Sequence, residues 1–122
     1  MKRTEGPFML TYAVITFAIA AGGGLVLASS VLRGKLASWP LSLLHAGLGA
    51  AGLVMVILAI MGGSGGTITT ALIILVIAAL GGFYLASLHL KSQVAPKKVV
   101  VIHASVAVVG FLLLAGTVFG IV

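Results

Sequence analysis

The chain contains no cysteine, and Glu5 is its only acidic residue. Without thiols there is no disulfide, no iron–sulfur cluster, no thiolate zinc site and no covalent c-type haem attachment. A lone carboxylate ahead of the first apolar run excludes paired-carboxylate catalysis, carboxylate-bridged metal pairs and an acidic proton relay within one chain. Charge of either sign is scarce: seven Lys or Arg and one Glu amount to 7% of 122 residues, where soluble domains carry about a quarter. Such a chain cannot cover itself with a water-facing surface, which places it in a bilayer.

Apolar sequence is abundant, at 61%. Uncharged runs of 27 residues (Glu5 to Arg33), 55 residues (Lys35 to Lys91) and 24 residues (after Lys98) each exceed the span of a hydrocarbon core, which takes about 20 residues. The expected class is all-α: an integral-membrane bundle of four helices over approximately residues 8–32, 41–61, 67–90 and 99–122. Gly62, Gly63, Ser64, Gly65 and Gly66 divide the longest run, because this segment has the backbone freedom of a turn. The remaining links carry Arg33, Gly34, Lys35 and Pro40, then Lys91, Pro96, Lys97 and Lys98. All three are short, so neighbouring helices should be antiparallel. The net charge of +6 lies at the ends of apolar runs, the pattern of membrane flanks rather than of nucleic-acid binding. Lys2 and Arg3 before an apolar stretch also suit a cleaved secretory signal, but that run is too long for a signal core and belongs to an internal repeat.

Shifted by 58 residues, positions 11–52 align without a gap on 69–110, with 16 identities in 42. The chain reads as one transmembrane domain made of a duplicated helical hairpin, repeat 1 over about 8–61 and repeat 2 over about 67–122. Ala20, Ala21, Gly23, Gly24, Leu27, Ala28 and Ser29 fall on Ala78, Ala79, Gly81, Gly82, Leu85, Ala86 and Ser87; Arg33 falls on Lys91. His45, Ala46 and Gly52 fall on His103, Ala104 and Gly110. Repeats in the same orientation can pack about a pseudo-two-fold axis along the membrane normal. Each histidine lies about 7 Å into its helix at 1.5 Å per residue, so both sit at one depth near one face.

Intramembrane histidines are costly and by default mark function. One alone is often a helix-to-helix hydrogen bond or a snorkelling ring; two related by a repeat are harder to explain that way. Two neutral imidazoles converging across a bundle core suit a haem iron held from both faces, which leaves no open position and confines the iron to electron transfer. A histidine-only zinc or copper site would need a third ligand, for which His89 is the sole candidate. The stripes Ala20, Gly24, Ala28 and Ala78, Gly82, Ala86 are common small-residue packing surfaces, but beside two histidine helices they suggest room for a macrocycle. Gly52 and Gly110, two turns below the histidines on the same face, could accommodate its buried edge.

Histidines on the second and fourth helices with glycines on the first and third resemble the four-helix haem-binding half of respiratory and photosynthetic cytochrome b. In that family each histidine helix carries two ligands, thirteen or fourteen residues apart, and holds two haems. Here those second positions are Leu58 or Ala59 and Gly116 or Thr117, none able to ligate, so the resemblance implies a single haem b. It covers the whole chain in architecture but rests on few residues: His45 and His103 match ligand positions, and Gly24 and Gly82 match spacer glycines.

Haem propionates want basic partners, which Arg33, Lys35, Lys91, Lys97 and Lys98 supply at the histidine end, although basic links also simply retain loops in the cytoplasm. Five basic residues there against Lys2 and Arg3 at the other end place the haem face toward the cytoplasm and both termini outside, in the cytoplasmic membrane of a bacterium. His89, the repeat counterpart of Val31, would bond a propionate, contact a quinone head group or snorkel, with snorkelling favoured. Trp39 beside Pro40 reads as an interfacial anchor. The expectation is an electron-carrying subunit that meets lipid, other redox subunits and possible quinone, is not an enzyme by itself and does not bind nucleic acid. The alternatives are a haem-free structural or assembly subunit and, last, a small channel or transporter, for which intramembrane charge is lacking.

Overall fold

The computed structural model describes residues 5–122, with side chains from Phe8 onward; Lys2 and Arg3 lie outside the described residues. Four helices, α1 (Glu5–Leu32), α2 (Trp39–Met61), α3 (Thr67–Leu90) and α4 (Lys97–Val118), form the bundle, with no strand among the described residues. All four are long and apolar enough to cross a membrane. In lipid a helix is one of the few ways to satisfy every backbone polar group internally. Large apolar side chains such as Leu25, Phe83 and Leu90 accordingly point outward, where lipid replaces water as their neighbour.

Helix ends follow local chemistry. Ser38 caps α2 by accepting from the Leu41 amide, with Pro40 in the first turn, so α2 begins at Trp39. Helix α1 ends in a left-handed Gly34 (φ 75°), with the Gly34 amide on the Val31 carbonyl and the Lys35 amide on the Ser30 carbonyl. Shifted by 58 residues the motif recurs: Ser92 (φ 56°) donates to His89 and Gln93 donates to Leu88. This is the Schellman closure, normally a glycine's position. Helix α4 stops at Val118 rather than running to Val122, because Gly120 (φ 73°) turns the chain back and the Ile121 amide bonds the Gly116 carbonyl at 2.7 Å.

The helices neighbour one another in a ring: α1 packs on α2 and α4, and α3 on α2 and α4, leaving α2 and α4 diagonal. Packing is densest within each hairpin. The close-packed cluster occupies the half of the bundle at the 62–66 link: Leu10, Val14 and Phe17 of α1, Val56 of α2, Leu75 of α3 and Leu114 of α4. Since lipid is as apolar as leucine, tight van der Waals contact holds such a cluster together. The other half, toward the basic links, contains both repeat histidines.

Candidate functional site

His45 and His103 lie six residues into α2 and α4 respectively, so the two rings share one depth on diagonal helices. Each reaches across its own hairpin to a backbone carbonyl. His45 Nδ1–H donates to Ala20 O at 2.7 Å and His103 Nδ1–H to Ala78 O at 2.8 Å. A carbonyl can only accept, so Nδ1 carries the hydrogen in both, and Nε2 of the neutral ring is left as a lone pair. Among the described residues no side chain or backbone group is hydrogen-bonded to either Nε2. Fixing Nδ1–H on a carbonyl is the usual way proteins orient a metal-binding imidazole and raise its basicity.

The two ring centroids are 6.4 Å apart, with planes at 84°. A metal held by one nitrogen of each ring, at bond lengths of about 2 Å, would set the centroids about 6 Å apart. The ring separation matches that of two imidazoles sharing an iron. Both rings are half-buried, and the dense apolar cluster lies elsewhere in the bundle.

Gly24 and Gly82 have a more specific role than lining a macrocycle. A Cβ on Gly24 would fall 2.8 Å from His45 Cε1, and one on Gly82 3.2 Å from His103 Cε1. The bare helix surface seats the imidazole itself and lets it reach the carbonyl four residues earlier. Gly52 and Gly110 likewise differ from the expectation that they take a macrocycle's buried edge. A Cβ on Gly52 would meet the Phe17 ring at 2.7 Å, and one on Gly110 would meet Leu75 at 2.9 Å. Phe17 and Leu75 are themselves repeat equivalents, so both glycines serve helix packing in the apolar half.

Arg33 and Lys91 are exposed at the ends of α1 and α3, with Arg33 Nε held on its own helix by the Ser29 carbonyl at 3.0 Å. His89 does not snorkel. It is buried, stacked on Trp39 at 3.9 Å with Nδ1 3.4 Å from Ser42 Oγ, so Trp39, expected as an interfacial anchor, covers a histidine. No group of three His, Cys, Asp or Glu able to hold a metal occurs among the described residues, so the three-histidine zinc or copper arrangement is not assembled. The carbonyls of Ala20 and Ala78 and the Ser42 contact had no separate sequence signal, since a backbone acceptor leaves none and Ser42 and His89 lie on different helices.

No family model, curated protein or solved structure matches the chain.

Proposed function

We propose that this chain is a small membrane b-type cytochrome, an electron-transfer subunit that binds one haem b between His45 and His103. The observation that carries the reading is the pair of carbonyl-anchored imidazoles on diagonal helices, 6.4 Å apart and each with Nε2 free. When bound, the haem would be held by His45 and His103 and would supply a one-electron couple. The chain's own part is to fix both imidazole tautomers through Ala20 and Ala78, to admit the rings at Gly24 and Gly82, and to surround the site with apolar helices that exclude water. Arg33, Lys35, Lys91, Lys97 and Lys98 place positive charge at the same end, which supports anionic propionates there and a cytoplasmic orientation.

A site near one face leaves most of the bilayer uncrossed. Its electrons would therefore be exchanged with a redox subunit docked on that face or with quinone in the membrane, in the cytoplasmic membrane of a bacterium.

A reduced-minus-oxidised visible spectrum of the protein purified from haem-replete cells tests the reading. The expected result is a six-coordinate b-type spectrum with one haem per chain, lost in both His45→Ala and His103→Ala. Absence of a haem band in the unaltered protein would overturn it, and so would retention of the spectrum in either variant.

A further inference from the structure

His89 is the one buried polar side chain among the described residues, 9% exposed. It projects from the last turn of α3 into the seam with α2, where Trp39 lies flat against it at an interplanar angle of 11°. Ser42 gives its own proton to the Ser38 carbonyl at 2.8 Å, so toward His89 Nδ1, 3.4 Å away, its oxygen accepts. Nδ1 therefore carries the hydrogen, and Nε2 of the neutral ring is a lone pair. That nitrogen is fully buried and has no hydrogen-bond partner. A buried acceptor left unmet is costly, and an orphan of this kind calls for an explanation.

The duplication does not impose this polarity. At the opposite seam the repeat equivalents of Trp39, Ser42 and His89 are Lys97, Val100 and Val31, with Val100 buried. Only the α2–α3 seam became polar. Its depth is informative as well. Ser42 precedes His45 by three residues, which puts the His89 contact about 4.5 Å closer to the basic links than the central pair. A lone pair in that position can be met by an acidic O–H. An imidazole and a carboxyl group that share one proton carry no net charge whichever atom holds it, so together they tolerate burial that neither ion would alone. The chain has no carboxylate of its own for the purpose: Glu5, the only one, belongs to the start of α1, at the other end of the bundle.

We propose that His89 Nε2 receives a carboxyl group of the haem, one propionate, with the two groups sharing a single proton and Ser42 and Trp39 holding the ring in place. The proposal rests on the haem reading above. It makes His89 a positioning residue for the cofactor's polar edge.

The test compares binding of haem b and of its dimethyl ester, in which both carboxyls are masked, to the full chain in lipid nanodiscs. His89→Phe keeps a flat ring against Trp39, and His89→Gln keeps a hydrogen-bonding head. The unaltered protein should bind haem b about tenfold more tightly than the ester. H89F should lose most of that preference, keeping only the part that the basic links contribute, and H89Q should recover part of what H89F loses. A six-coordinate spectrum in all three forms is expected throughout. If that spectrum is absent from the unaltered protein, the haem reading itself fails. If it is present and H89F keeps the full preference for haem b, only the role of His89 is overturned. A preference for phosphatidylglycerol over phosphatidylcholine that H89F abolishes, with discrimination against the ester unchanged, would assign the seam to a lipid phosphate and also overturn the proposal.

Discussion

A single methyl group at Gly24 distinguishes a glycine that seats an imidazole from one that merely packs helices. The added Cβ would lie 2.8 Å from His45 Cε1 and 3.3 Å from Nδ1, closer than real contacts allow, so the ring must move. This ring is not the loose end of a flexible side chain, because Nδ1 is tied to the Ala20 carbonyl at 2.7 Å. Breaking that bond costs about 1 kcal/mol, and turning the side chain off its rotamer costs about 1 kcal/mol more. The sum, about 2 kcal/mol, corresponds to about a thirtyfold loss of affinity for a ligand held by that nitrogen. At Gly82 the contact is 3.2 Å with the next atoms at 3.9 Å, so a shift of a few tenths of an ångström relieves it; the expected loss there is about twofold. Alanine is also the better helix former, by about 1 kcal/mol in water, so neither variant should unfold. Haem titration of Gly24→Ala and Gly82→Ala, with thermal melts in the same detergent, should therefore show affinity falling in G24A and largely kept in G82A, with a small drop in melting temperature in G24A alone. Equal losses at both sites, or undiminished affinity in G24A, would refute the argument.

Three other outcomes follow from the structure. Ser92 occupies the left-handed position that Gly34 fills in the first repeat, so Ser92→Gly should raise stability by about 0.5 kcal/mol, seen as a higher melting temperature. Gly52→Ala should cost about 2 kcal/mol of stability by driving a methyl group into the Phe17 ring, and Phe17→Leu in the same chain should restore part of it; an unchanged melt would show that this contact carries no strain. Because the chain lacks cysteine, single cysteines at Lys35, Gln93 and Ser64 report topology cleanly. A membrane-impermeant thiol reagent applied to intact cells should label S64C and spare K35C and Q93C, and the reverse pattern would invert the orientation proposed here.

The four spans and their antiparallel links were legible because lipid imposes a simple rule: charge is expelled to the ends and glycine-rich segments break helices. The boundaries moved by two to four residues: α1 and α4 begin earlier, at Glu5 and Lys97, Ser38 caps α2 so that it begins at Trp39, and Gly120 ends α4 at Val118. The equal depth of His45 and His103 followed from counting residues. The role of Gly24 did not, since a missing side chain in sequence cannot say which neighbour fills the space. Gly52 is the sharper case, because its register with His45 pointed to the same face and yet the occupant is Phe17, 35 positions earlier on another helix. His89 was misread for a related reason. Near a helix end a histidine ordinarily turns to water, whereas this one is stacked on Trp39 and touches Ser42 of α2.

A duplicated hairpin, as the sequence alignment of the two halves suggests, would account for both the symmetry of the central pair and the asymmetry beside it. A repeat that packs about an axis places any residue near that axis opposite its own copy, so one ancestral histidine bonded to one carbonyl would suffice to bring two imidazoles within 6.4 Å of each other. The shared hydrogen bonds to Ala20 and Ala78 and the shared glycine seats are what that origin would leave. A ligand held by equivalent groups on both sides needs no divergence at its metal. A haem, however, is not symmetric at its rim, and selection can act on one seam without disturbing the other. The change from a Val31-type position to His89, matched by Ser42 and Trp39 across the seam, lies off the axis and leaves the two central rings alone. If the chain binds haem as proposed, the fold would use its symmetric positions to hold the iron and its diverged seam to fix which way the cofactor's polar edge faces.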